Sequence, residues 1–205
     1  MDAKELRLDK GLPALEPGLN LVISRPRVDK SKFVVDAVYR WLMEDGVRVK
    51  FNSLDKSDDE ITYDFFRNVP EQGLDGRGVL RFASYLHGGL IESERDIEEF
   101  VKDCIAIRPD AIVVDGAQML NVGILHLDSR MAGTFGAATE HKFRVLAWLG
   151  NELGVPVVAT ANLSRNNGFL YGCENDAPLD IAKTVVQLLR YGDNVVSLVR
   201  NADRA

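Results

Sequence analysis

The sequence predicts an α/β domain built on a mostly parallel central sheet with helices covering both faces. Three observations predict it. Short apolar runs alternate with longer segments of helical periodicity along most of the chain. Most of those runs are continuously apolar, as strands buried on both sides require. At 205 residues and 46% hydrophobic content the chain can bury one sizeable core. No repeat, low-complexity tract or Ser/Pro-rich linker divides it.

The elements follow in order. Residues 1–18 form a short, charged N-terminal segment, and 19–205 form the domain. Leu19–Ile23 reads as a buried strand. Residues 32–45 place Phe33, Val34, Ala37, Val38, Trp41 and Leu42 at helical spacing, and Asp45-Gly46 ends that helix. The alternating run 47–51 is the next strand. A helix over 58–68 follows a polar turn, and the glycine-rich stretch 69–90 is irregular, with 79–82 as a short strand. Residues 93–107 have an acidic first turn and apolar periodicity, which predicts a helix capped by Ser93. Ala111–Asp115 is the most strand-like run and ends in an acid. After a long segment, 116–136, come an amphipathic helix over about 137–153, a strand at 155–160 and a polar loop at 164–180. Residues 185–189 and 195–199 read as a closing pair joined by the turn at 192–194.

Composition narrows the function classes. A net charge of −6 gives no global basic field, so nucleic acid would have to meet a local patch. Cys104 and Cys173 stand far apart without metal-ligand spacing, which fits a reducing compartment. No secretory leader and no membrane-length apolar run is visible, so the expectation is a soluble cytoplasmic protein with no membrane partner.

In an open parallel sheet, ligands bind outside the carboxyl ends of the strands. Three polar signals fall there: Lys30-Ser31 in "SRPRVDKSKF" (24–33), Asp55 after the second strand, and Asp115 after "AIVV". A phosphate-binding loop has the form G-x-x-x-x-G-K-[ST], in which the lysine reaches the β- and γ-phosphates and the hydroxyl and a strand-end aspartate hold Mg²⁺. Here Ser24 and Asp29 occupy the glycine positions. Each signal alone has an ordinary explanation, a helix cap or a turn residue. Their order and placement together favour a phosphate-loop site.

The chain resembles the RecA-fold motor domain of DnaB-type replicative helicases. "SRPRVDKSKF" is similar to that family's A-R-P-S-M-G-K-T loop, sharing Arg25-Pro26, Lys30 and a hydroxyl at Ser31. "KFNSLDKS" (50–57), "PDAIVVDGAQML" (109–120), "NELGVPVVATANLSR" (151–165), "AKTVVQLLR" (182–190) and "LVRNADR" (198–204) follow its later blocks in order. The resemblance implies a RecA-like P-loop NTPase fold over 19–204. It also implies a nucleotide site at Ser24, Arg25, Pro26, Arg27, Val28, Asp29, Lys30, Ser31 and Gln118, with Mg²⁺ on Ser31 and Asp115. Asp55 then corresponds to the water-polarising acid, Asn162 to the γ-phosphate-sensing glutamine, and Arg200 to a residue beside the trans-acting arginine, whose own place is taken by Ala202. The departures fall on catalytic positions: Asp29 adds a Cβ and a negative charge, and Asp55 and Asn162 are each one methylene shorter than the family's residue. The two loops expected to face DNA carry only Arg130 and Arg165, few cations for phosphate binding. The densest basic cluster is Arg25, Arg27, Lys30 and Lys32, which is either a solvated loop or an anion site.

The resemblance thus implies a DnaB-like domain of DNA replication or recombination in which ATP binding and hydrolysis are impaired. The alternatives are a non-catalytic module that binds a helicase or other replication protein, a nucleotide sensor, and an active ATP-dependent helicase or translocase motor. The implied ligands are ATP and Mg²⁺, bound weakly if at all. The implied partners are a replication or recombination protein, single-stranded DNA, and other copies of the chain. The family's amino-terminal domain and linker have no counterpart in the matched blocks, so a stable helicase-like ring is not expected.

Overall fold

The computed structural model describes residues 5–43, 47–54, 60, 63–65, 96–120, 135–164, 170, 177–191 and 194–201. Six strands form one sheet: β1 (Gly18–Ser24), β2 (Val49–Ser53), β3 (Ala111–Asp115), β4 (Pro156–Asn162), β5 (Thr184–Tyr191) and β6 (Asn194–Asn201). Their spatial order is β2-β3-β4-β1-β5-β6, with every pairing parallel except the antiparallel β5–β6 hairpin at one edge. The helices are α1 (Lys30–Met43), α2 (Asp96–Ile107), α3 (Phe135–Leu153) and the single turn α4 (Ala177–Asp180), with a 3₁₀ turn at Ala117–Met119.

Side-chain alternation along the central strand β1 sorts the core into two layers. Leu19, Leu21 and Ile23 join Phe100 and Cys104 of α2 and Phe143, Leu146 and Leu149 of α3. Val22 points the other way, into a cluster with Val34, Val38, Trp41 and Leu42 of α1. Full burial of each such side chain stabilises the fold by about 1.5–3 kcal/mol. Two such layers force β1 through β4 to be covered on both sides, as the continuous apolar runs require.

Several boundaries move. The second strand begins at Val49 rather than Val47, and all five of its residues are buried instead of alternating with solvent. Val49 and Phe51 face α1, so Lys50 lies on the α2 side, where its Nζ reaches the Asp103 carboxylate at 3.3 Å. The fourth strand runs on to Asn162, two residues beyond its expected end, and α3 begins at Phe135. Within the expected 58–68 helix, residues 63–65 are helical and Phe65 meets Phe51 edge-on, with ring centroids 5.6 Å apart. The expected strand at 79–82, the Ser93 cap and the turn residues Gly192 and Asp193 lie outside the described residues.

The stretch ahead of β1 packs into the α1 layer. Leu6, Leu8 and Leu12 are buried there. The Trp41 indole N–H donates to the Arg7 carbonyl at 2.9 Å, and the Arg40 guanidinium donates to the Leu8 carbonyl at 2.6 Å. No described helix is long and apolar enough to cross a membrane.

At the opposite end of the molecule from the strands' carboxyl edge, α3 crosses the start of β1 closely. A Cβ at Gly150 would lie 2.8 Å from the Gly18 Cα and 2.9 Å from a Val157 methyl carbon. Gly150→Ala must push helix and strand apart, at a cost of about 1–3 kcal/mol. We expect its melting temperature to fall by several degrees, whereas Gly11→Ala, at a site with open space around it, leaves it unchanged.

Burial also sets the chemistry of Cys104. Desolvation pushes its thiol up to about 12, with the Lys50 ammonium opposing and Asp103 reinforcing the shift. The unfolded chain therefore loses this proton first, and the thiol's contribution to stability fades from about pH 9 to about 12. Denaturant titrations should show a shallower loss of stability over that window in Cys104→Ala than in the parent chain.

Candidate functional site

The parallel register brings the ends of β1, β3 and β4 to one edge of the sheet. Ser24 lies beside Asn162 on one side and Leu188 on the other, and Ser53 lies beside Asp115. Between β1 and α1 the chain makes a compact loop. The Val28 N–H approaches the Arg25 carbonyl at 3.4 Å, the Lys30 N–H donates to the Val28 carbonyl at 3.0 Å, and Arg27 takes a left-handed φ of 76°. The predicted strand–loop–helix path is therefore present, with Lys30 as the first residue of α1.

The loop is closed on itself. Lys30 is 7% exposed, and its Nζ donates to the Asn162 Oδ1 at 2.7 Å and to the Ser24 Oγ at 3.2 Å. The Ser24 hydroxyl in turn donates to the Arg25 carbonyl at 2.9 Å. Asn162 is held from behind, since its backbone N–H donates to the Gln118 Oε1 at 2.8 Å. A chain of hydrogen bonds thus runs Gln118–Asn162–Lys30–Ser24 across the 3₁₀ turn after β3, then β4, α1 and β1. Lys142 of α3 steadies its far end by donating to the Gln118 carbonyl at 2.8 Å.

Asp29 is an N-cap. Its Oδ1 accepts the Lys32 backbone N–H at 2.9 Å, three residues on, as a capping carboxylate does. This bond commits the carboxylate to the first turn of α1. It places a negative charge against the positive end of the α1 dipole, where a bound anion would otherwise sit.

Asp115 is fully buried. Its Oδ1 accepts the Thr160 hydroxyl at 2.7 Å, and Thr160 itself accepts the Gly116 N–H at 2.8 Å, where the chain turns through a φ of 80°. The Asp115 Oδ2 has no hydrogen-bond partner among the described residues. Thr160 was not singled out from the sequence, although a hydroxyl inside the apolar run "PVVATAN" was a visible signal.

The other predicted residues disperse. Ser31 is buried at the start of α1. Arg25 and Arg27 are exposed, whereas Lys32 pairs with Asp36 at 2.7 Å, so the predicted basic cluster presents two arginines rather than four cations. Pro26 and Val28 are half-buried, and Val28 packs against the α1 layer. Arg200 lies on β6 opposite Val185, level with Leu21, three residues short of Ser24, with its guanidinium 3.8 Å from Asp180. Asp55, Arg130, Arg165 and Ala202 lie outside the described residues.

A magnesium–triphosphate fits this arrangement only in part. The unpartnered Asp115 oxygen and the buried Ser31 suit a cation. The phosphate cradle does not fit, because Asp29 takes a first-turn amide and Lys30 is held by the chain's own oxygens. Among the described residues no three His, Cys, Asp or Glu side chains cluster as a metal site.

The fold has solved counterparts. A KaiC-like protein from the hyperthermophilic archaeon Pyrococcus horikoshii OT3 superposes with a TM-score of 0.63 at 17% identity, covering 93% of this chain and 81% of that one. The chain therefore has a RecA-like P-loop fold. No protein-family model and no curated protein sequence matches it.

The cap can be tested without any ligand. Asp29→Ala leaves the Lys32 amide without its side-chain acceptor and should destabilise the protein by about 1 kcal/mol in denaturant titrations. Asp29→Ser should keep most of that stability.

Proposed function

We propose that this chain is a DnaB-like, RecA-fold domain that acts in DNA replication or recombination by binding a protein partner, with ATP binding and hydrolysis impaired. The observation that supports the reading is the Lys30 ammonium, turned onto Asn162 and Ser24. A motor's phosphate-loop lysine must be available to the β- and γ-phosphates. Here a triphosphate would have to displace the Ser24 and Asn162 oxygens from that cation and settle beside the Asp29 carboxylate. Two unit charges 4 Å apart still repel by about 1 kcal/mol in water. The Asn162 that closes the loop is also the position matched to the γ-phosphate sensor. One side chain thus both lacks the sensor's reach and occupies the lysine.

The domain's remaining resource is its surface. A helicase-like shape that does not cycle with nucleotide can dock on a helicase or another replication protein without turning over. Single-stranded DNA is a weaker candidate partner, since Arg25 and Arg27 are the exposed cations on the loop and affinity for phosphate grows with the number of such contacts.

ATP turnover should stay at background with or without single-stranded DNA; a rate near the enzyme median of about 10 s⁻¹ would restore the motor reading. Asp29→Gly, combined with Ser24→Gly, removes the repelling charge and one of the lysine's acceptors. It should tighten Mg-ATP binding about tenfold in calorimetry, roughly 1.4 kcal/mol, and Lys30→Ala in that background should abolish the gain. Folded glycine variants that bind no better than the parent would show that the loop is no latent nucleotide site.

A further inference from the structure

Among the described residues the sheet ends at β6, an edge without the usual protection. Edge strands are ordinarily short, charged, interrupted by proline or covered. β6 has eight residues, no proline and one charge, Arg200. Val195, Val196, Leu198 and Val199 are each between 40% and 54% exposed. Cross-strand partners share a face of the sheet. Val199 pairs with the buried Val186, so Val195 and Val199 lie on the α1 side, while Val196 and Leu198, opposite Leu189 and Gln187, lie on the α3 side. Apolar groups are thus exposed on both faces of one open edge.

The pattern is symmetric about its centre. In V-V-S-L-V, residues 195–199, the apolar side chains are mirrored across Ser197. If a second β6 ran antiparallel alongside, related by a two-fold axis through Ser197, Val195 would face the partner subunit's Val199 on one side of the sheet. Val196 would face the partner subunit's Leu198 on the other, and Ser197 would meet the partner subunit's Ser197. Every exposed apolar residue of the strand meets an apolar one, on matching faces. A slip by one residue would set α1-side groups against α3-side groups. Arg200 falls opposite the partner subunit's Asn194, so the two like charges stay some six positions, about 20 Å, apart.

We propose that β6 is a self-association surface through which two copies of this chain join edge to edge about a two-fold axis at Ser197, making one continuous sheet. The occupant is a second copy because the strand complements itself in both chemistry and charge placement. A single strand pairing is a small contact beside the roughly 800 Å² per partner of a stable interface, so the dimer is weak.

Sedimentation of the full chain over two decades of concentration should show its mass rise from 22.8 kDa toward twice that. Val196→Lys should hold it at the monomer. Facing residues of antiparallel strands have Cα atoms about 4.5–5.5 Å apart, within the about 4.4–6.8 Å that a disulfide spans. Ser197→Cys, on an open edge, should therefore yield a covalent dimer on mild oxidation. Val195→Cys, which places the substituted positions about 13 Å apart, should not; Val195→Cys combined with Val199→Cys should. The parent chain, with its two native cysteines, sets the background. A chain that stays monomeric at every concentration while Ser197→Cys, shown folded by its melting curve, fails to cross-link would overturn the proposal, even if a foreign peptide were found on β6. Cross-linking equally from Val195→Cys alone would overturn the two-fold register.

Discussion

A buried lysine constrains this molecule more than any other single group. An ammonium taken out of water must be met by oxygens, because an uncompensated charge in a protein interior is costly. Among the oxygens that meet Lys30 are those of the Asn162 amide and the Ser24 hydroxyl, which belong to adjacent strands. One cation therefore fixes where α1 starts, how far β4 must extend and which way the intervening loop folds. The compact turns at Val28 and Lys30 follow from it, since the loop has only five residues in which to return the chain to the strand it left.

The same economy of donors appears around Asp115. Its position at the end of a strand buried on both sides leaves no solvent to satisfy it, and Thr160 supplies one hydrogen bond while also fixing the Gly116 turn. The parallel register makes this contact available by setting Val114 beside Ala159, one residue earlier on each strand. Sheet alignment and site geometry are one problem here, because the groups that meet at the edge are those the register delivers.

The architecture was legible because burial leaves a plain mark in a parallel sheet. Runs such as "AIVV" and "PVVAT" could be read directly, and the closing hairpin fell where two short apolar segments flanked a glycine turn. β2 was harder. Its charged Lys50 made the run look half-exposed, yet a long side chain can bury its stem and still reach Asp103 at the rim. At the site, strand-end position put Lys30 and Asp115 at the sheet's carboxyl edge and the family resemblance added Gln118 and Asn162, but neither disclosed the Lys30–Asn162 pairing. That depends on side-chain direction across 132 residues of separation, as between Lys30 and Asn162. Asp29 shows the limit most clearly. Its charge was plain, whereas its role as a helix cap follows from where α1 begins, and that start lies two residues earlier than periodicity alone suggested.

Trp41 carries a consequence of its own. The chain has two tryptophans, one buried and one about half exposed. Trp41 is 1% exposed, with its N–H on the Arg7 carbonyl, whereas Trp148 is 48% exposed on the outer side of α3. Intrinsic fluorescence thus contains two separable signals, a blue-shifted one shielded from aqueous quenchers and a red-shifted one open to them. The first reports whether the amino-terminal strap is seated on α1, and the second reports contact at α3. The molecule comes with a built-in optical readout of two of its surfaces, and no dye need be attached to use it.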